Sequence, residues 1–231
     1  MKTAPNSANS KKWTNAFPKI LCDNKEHIHF WNGKFYEQIP DIEAKNIIWK
    51  HNLASGHDEI ASLLNDLKIT TYYKKKFHPA IIWDGIDLLI NVQNGVLRWN
   101  RAENRYKLQK HDPKWLFNAI LPVRYDVKAQ CPKFMRELQD KLPNVLDQKR
   151  LRFCFAYTFD PDCHLNICIF CLGDSRTGKS TLIVHGLGSM IGQELAIALK
   201  LEQICKSRKS LSDITWLPLF EVRSPLHTKT S

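Results

Sequence analysis

The stretch Gly173-Asp174-Ser175-Arg176-Thr177-Gly178-Lys179-Ser180 constrains this chain more than any other part of its sequence. Directly before it, Leu165-Asn166-Ile167-Cys168-Ile169-Phe170-Cys171-Leu172 is a nearly continuous apolar run, as a strand buried on both faces of a parallel sheet requires. Directly after it, Thr181-Leu182-Ile183-Val184-His185-Gly186-Leu187 can open a helix packed on that sheet. Strand, loop and helix form the setting in which the spacing G-x-x-x-x-G-K-[ST] holds phosphate. Gly173 and Gly178 let the backbone curl so that successive N–H groups point inward at phosphate oxygens. The helix that follows presents its positive end to the same anion. Lys179 then reaches the β- and γ-phosphates, and the Ser180 hydroxyl ligates Mg²⁺. The expected nucleotide site is therefore Gly173, Asp174, Ser175, Arg176, Thr177, Gly178, Lys179, Ser180 and Thr181, with ATP and Mg²⁺ as its cofactors. With 9 glycines in 231 residues, a chance match to this pattern is expected in roughly one protein in a hundred or fewer.

Composition narrows the partners. The chain is 43% hydrophobic and 25% charged, an ordinary globular balance that suits one large domain or two small ones. A net charge of +11 and a pI of about 9.3 favour polyanions, so DNA is the first partner to consider; lysine-rich usage is the bland alternative. No apolar run approaches the ~20 residues that span a bilayer, and Met1–Ser10 lacks the apolar core of a signal peptide. The expectation is a soluble, cytoplasmic protein without membrane contact, its seven cysteines reduced. Cys163, His164, Cys168 and Cys171 lie close together as possible zinc ligands. Residues three apart on a strand point to opposite faces, however, so Cys168 and Cys171 diverge and read as small buried hydrophobes.

Along the chain, residues up to about Lys19 show no periodicity and read as a flexible lead-in. Ile28–Tyr36 reads as a hairpin turning at Asn32-Gly33. Asp41 can cap a helix carrying Ile42, Ile47, Ile48 and Trp49; a second helix from Asp58 carries Ile60, Leu63, Leu64 and Leu67. That helix is expected to end in Tyr72-Tyr73-Lys74-Lys75-Lys76, which could stack bases and contact phosphates, or simply be a solvated helix end with two interfacial tyrosines. Leu88–Trp99 reads as a second hairpin with Asn94-Gly95 at its turn. Pro132 suits the first turn of a helix bearing Phe134, Leu138 and Leu142, and a further helix from Asp147 to Tyr157 is expected to turn Leu151, Phe155 and Ala156 inward. Phe159-Asp160-Pro161-Asp162 breaks the helical pattern and marks a domain change.

In this order the segments resemble the helicase part of phage and plasmid primase–helicases of the superfamily-three type, a group that includes poxvirus-like enzymes. The resemblance runs from about Phe30 to about Asp213. It is carried by Trp31-Asn32-Gly33-Lys34-Phe35, by Leu89-Ile90-Asn91-Val92-Gln93-Asn94-Gly95-Val96-Leu97, by Val123-Arg124-Tyr125-Asp126, by Cys131-Pro132-Lys133-Phe134, by the helix containing Phe153–Tyr157 and by Met190-Ile191-Gly192 after the loop. The resemblance implies an α+β, collar-like helical and hairpin domain over 28–160, behind the lead-in 1–27, followed at 161–231 by the start of an α/β P-loop NTPase domain with a parallel sheet. It further implies assembly into a ring on DNA, or association with a downstream helicase or primase polypeptide, in the host cell of a virus, phage or plasmid.

Thr177 stands where the family often has Asn. A second acidic motif should follow on an apolar strand; the candidate is Glu221, after Trp216-Leu217-Pro218-Leu219-Phe220, although Pro218 cannot donate a hydrogen bond in a central strand. Asp213–Ser231 cannot house the family's sensor residue and arginine finger. The expectation is a truncated ATPase core of low intrinsic turnover, with Lys179 and Glu221 as its catalytic residues. Two other readings remain open: a non-catalytic DNA-binding or assembly fragment of a primase–helicase, and a different P-loop NTPase or kinase.

Overall fold

The aromatic and β-branched residues around Asn32-Gly33 do form a hairpin, which supplies two strands of a three-stranded antiparallel sheet. The computed structural model describes residues 19–74, 76–162, 164–165, 171, 174 and 176–192. They divide into two units, one drawn from Met1–Ala80 and Leu108–Ile120, the other from Ile81–Lys107 and Leu121–Ser231.

In the first unit the strand order is β1 (Ile20–Cys22), β2 (Ile28–Trp31), β3 (Tyr36–Ile39). Trp31 pairs with Tyr36, and Asn32 directs the turn through its side chain, accepting from the Lys34 and Phe35 N–H groups at 3.0 and 3.1 Å. Gly33 takes φ +96°, which an L side chain adopts only with strain. Helices α1 (Asp41–Lys50) and α2 (His57–Thr70) follow. Ala44, Ile48, Leu63, Leu64 and Leu67 close over Ile20 and Ile28, each large side chain contributing about 1.5–3 kcal/mol of apolar burial.

Three expectations change here. Asp41 does not cap α1; Pro40 is the N-cap, and Asp41 is the first helical residue, bound to Lys68 at 2.7 Å. Ile42 and Trp49 are exposed, because burying Ala44 and Ile48 turns them to the outer face. Tyr72–Lys76 is not the end of α2: the helix stops at Thr70, and Cys22 bridges Tyr72 in parallel, with the Tyr73 N–H donating to the Cys22 carbonyl at 2.8 Å. The free edge of β1 captures this segment, since buried backbone groups need partners.

The loop between β1 and β2 closes on one carboxylate. Asp23 accepts from the Lys25 and His27 N–H groups at 2.9 Å, and from the His27 and His29 rings at 3.2 Å. Burial works to raise its pKa, yet these donors hold the carboxyl below its usual range. His29 is 3% exposed and stacks on Phe77 with centroids 4.0 Å apart; burial lowers its pKa against the pull of Asp23.

A second antiparallel sheet runs in the order β4 (Ile81–Asp84), β5 (Asp87–Val92), β6 (Gly95–Asn100), β7 (Arg105–Gln109), all within the second unit except the last two residues of β7. All six residues of β5 are buried. Its turn into β6 differs from the expected Asn94-Gly95: Val92 pairs with Gly95, so Gln93 and Asn94 make the turn. Asn94 is held there because its side chain bonds the Tyr125 N–H and C=O, both at 2.9 Å. Helix α3 (Pro132–Lys141) begins at Pro132 and buries Leu138, as its sequence suggests. Helix α4 (Val145–Tyr157), capped by the Asn144 side chain at 2.8 Å, half-buries Leu151 and Phe155 but leaves Ala156 exposed, contrary to expectation.

The architecture is α+β, and the sheets among the described residues are antiparallel. Residues 166–170, 172, 193–231 and 1–18 lie outside the described residues, and with them most of the expected parallel strand and the first part of the lead-in expected over 1–27; its remainder is instead folded, carrying β1 and the Asp23 loop. No helix among the described residues is long and apolar enough to cross a membrane.

Two imidazoles withdrawn from solvent make stability pH-dependent. Burial lowers the pKa of both His29 and His78. The unfolded chain therefore binds more protons, and this contribution is present above the unfolded value of about 6.5 and lost as pH falls through the depressed folded values. Thermal unfolding followed by circular dichroism from about pH 7.5 to about pH 5 should show a falling midpoint, with a shallower slope in His29→Phe. A flat profile in the parent chain would contradict this account.

Candidate nucleotide-binding site

The approach to the glycine loop is organised by Asp160, just past α4. Its carboxylate accepts from the Trp83 indole at 3.3 Å, from the Asp162 and His164 N–H groups at 3.2 Å, and from His164 Nδ1 at 2.9 Å. Burial again works to raise the Asp160 pKa, and the His164 ring and backbone outweigh it. The same contact raises the pKa of His164. The Leu165 N–H donates to the Tyr157 hydroxyl at 3.2 Å, so both ends of the 157–165 turn are tied down. His164, a zinc-ligand candidate by sequence, thus commits its Nδ1 to Asp160; Cys163 and Cys168 lie outside the described residues. Cys171 is half-buried. Its thiol pKa is pushed up by burial and by Cys154 of α4, and is opposed by Lys179.

The loop itself is shaped by two residues with positive φ. Gly178 sits at +86°, where glycine meets no steric penalty, and Arg176 sits at +64°, an uncommon conformation for a side chain of its size. The Thr177 hydroxyl donates to the Asp174 carbonyl at 2.9 Å. The Lys179 ammonium folds back to the same carbonyl and to Thr177 Oγ1, the latter at 3.0 Å. These residues therefore form one closed turn with a cation drawn against it. Gly173 and Ser175 lie outside the described residues, as does Glu221, so the turn is defined by Asp174 and Arg176–Thr181.

The chain becomes helical at Lys179 and Ser180, with the Leu182 N–H donating to the Gly178 carbonyl at 2.9 Å. Thr181–Leu187 is wound as a π-helix, and the Gly188 N–H reaches the Ile183 carbonyl five residues back. One α-helical turn, Gly188–Ile191, completes it. Ile183, Leu187 and Ile191 are buried at every fourth position. Gly192 ends the helix at φ +100°, where a side chain would be strained and its Cβ would lie 3.2 Å from Pro122 Cδ, a tight approach. Ser180 and Thr181 are exposed at the helix start, adjacent to the turn.

Chemically, the arrangement suits a phosphate chain. Lys179 interacts with the Asp174 carbonyl and the Thr177 hydroxyl among other groups, and a hydrogen bond from an ammonium to a charged phosphate oxygen is stronger than one to a neutral acceptor. Ser180 offers a hydroxyl of the kind that holds Mg²⁺ in such loops.

Two basic segments are exposed. In the lysine run after α2, Tyr72, Lys74 and Lys76 are exposed, Tyr73 packs against the Tyr36–Phe77–Leu116 cluster, and Lys75 lies outside the described residues. The other was missed by sequence reasoning. Lys149, Arg150, Arg152 and Phe153 are exposed on α4, and the i, i+4 spacing of Lys149, Phe153 and Tyr157 was its signal.

The family described as D5 N terminal like matches residues 11–143, more than half of the chain, and stops short of α4 and the glycine loop. No curated protein matches the chain.

Gly178→Ala places a side chain at φ +86° in otherwise open space, so the cost is backbone strain of about 1–2 kcal/mol and no clash. Hydrogen exchange should quicken at the Leu182 amide, which donates to Gly178, and stay unchanged in β5. Equal protection at Leu182 in both chains would show that the turn does not depend on this glycine.

Proposed function

The chain belongs to the D5 N-terminal-like family of phage and viral primase–helicases, and from that premise we propose that it is a DNA-replication protein of the superfamily-three helicase type that binds ATP with Mg²⁺ at Gly173–Thr181. The observation that carries the nucleotide reading is the Lys179 ammonium folded onto the Asp174–Thr177 turn directly ahead of a helix start. Family membership supplies the replication context, and the loop supplies the ligand class.

In this reading Lys179 exchanges the Asp174 carbonyl and Thr177 hydroxyl for phosphate oxygens. The N–H groups from Asp174 to Thr181 line the phosphate chain, and Ser180 holds the metal. Mg²⁺, when bound, neutralises charge that develops on the phosphates. Glu221 is assigned to orienting the attacking water. The helix start adds its positive end, which favours anions by about 0.3–1 kcal/mol at exposed sites. Assembly into a ring, and translocation on DNA, follow from the same family reading. Excess basic charge suits that partner, because each phosphate neutralised by lysine or arginine releases counterions.

Two experiments test the proposal. Titration with a fluorescent ATP analogue should show Lys179→Ala losing most of its affinity with an unchanged unfolding midpoint, since this lysine serves the loop and not the core; Ser180→Ala should lose mainly the Mg²⁺ dependence. Equal ATP affinity in Lys179→Ala and the parent would remove the nucleotide assignment. Separately, affinity for DNA should fall steeply between about 50 and 200 mM salt. Salt-insensitive binding, or none at low salt, would count against DNA as the partner.

A further inference from the structure

The outward arc of α4 carries a combination that the nucleotide site leaves unused. At about 100° per residue, Arg152, Val145, Ala156, Lys149, Phe153, Leu146, Tyr157 and Arg150 fall within an arc of about 160°. Of these, all but the half-buried Tyr157 are exposed, while Asp147, Gln148, Leu151, Cys154 and Phe155 on the remaining side are half-buried. No residue of α4 is fully buried. Phe153 is 52% exposed, and its ring lies nearly parallel to that of Tyr157, at 10° with centroids 6.2 Å apart. Arg150 engages Asp147 at 2.9 Å, so the one carboxylate of this helix is already matched.

We propose that this arc is a stacking platform for single-stranded nucleic acid, with Phe153 receiving a base and Lys149 and Arg152 contacting the flanking phosphates. Complementarity of shape and charge supports it. An exposed aromatic ring offers a face to any base without regard to sequence, and the cations beside it, Lys149 one turn before Phe153 and Arg152 next to it, match the charge of a strand that passes over the helix. A purely apolar partner would leave Lys149, Arg150 and Arg152 to be desolvated, and a purely ionic one would leave Phe153 and Leu146 in water. Cys154, which bears electrostatically on Cys171 ahead of the glycine loop, projects from the other side of α4, away from Lys149, Arg152 and Phe153. The inference rests on the reading of the chain as a DNA-binding protein but is independent of the nucleotide site.

Fluorescence anisotropy of the full chain with labelled oligothymidylate of about 20 nucleotides, across a salt series, separates the contributions. Phe153→Ala should weaken binding on the order of tenfold while leaving the slope of log affinity against log salt unchanged, and Phe153→Tyr should restore it. Lys149→Gln with Arg152→Gln should instead flatten that slope by about 0.7 for each phosphate that is no longer neutralised. Circular dichroism and size-exclusion chromatography of each variant confirm fold and assembly. If the parent binds with a steep salt slope and Phe153→Ala binds equally well, the platform is wrong while DNA remains the partner. If the parent does not bind at low salt, both readings fall. If Phe153→Ala converts a dimer to a monomer at unchanged DNA affinity, the arc is an interface between copies, and the proposal is overturned.

Discussion

Strand β5 is buried along its whole length, and that constraint organises the unit around it. A buried backbone cannot leave its N–H and C=O groups without partners, because each orphan costs the desolvation of a polar group. Beyond the pairing with β4 and β6, the Asn91 carbonyl accepts from the Leu121 N–H at 2.9 Å, and the Gln93 N–H donates to the Val123 carbonyl at 2.8 Å. Asn94 then pairs with both backbone groups of Tyr125. The end of one hairpin thereby recruits a segment some thirty residues further on. Pro122 within that segment meets Gly192 at the end of the helix that follows the glycine loop. A continuous path of contacts leads from the most buried strand to the candidate site.

Two carboxylates play the same part in different places. Asp23 gathers four donors across the β1–β2 loop, and Asp160 gathers four across the approach to the glycine loop. Hydrogen bonds to a charged acceptor are stronger than neutral ones, so a single saturated carboxylate can define a loop that has little apolar burial of its own. Both loops contain histidines whose rings bond the carboxylate. In one the imidazole is buried and held neutral; in the other it is exposed and its charged form is favoured. Burial decides between these outcomes.

Some of this was legible in the residues. Alternating aromatic and β-branched residues on either side of Asn32-Gly33 mark a hairpin, and Pro132 with Leu138 marks the start and inner face of α3. These are local signals. Other positions read wrongly because their local chemistry admits two answers. Asp41 is a good cap by type, yet Pro40 holds the cap position while Asp41 is drawn to Lys68 on α2, 27 residues away. Tyr72 and Tyr73 look like a helix end until the open edge of β1 takes them. For the site, the glycine spacing located the loop, but neither the fold-back of Lys179 nor the π-helical winding after it has a counterpart in the motif.

The sequence by itself determined the periodicities, the helix start at Pro132, and the glycine positions where positive φ is needed, as at Gly33 and Gly178. Each depends on a residue and its near neighbours, through sterics or the alternation of faces. Tertiary structure alone decided that Asn94 turns its side chain to Tyr125, that the Tyr72–Tyr73 segment extends beside β1, and that α4 shows Lys149, Arg152 and Phe153 outward. Those outcomes turn on which distant backbone group or apolar face is left needing a partner, and that is settled only when the whole chain has packed.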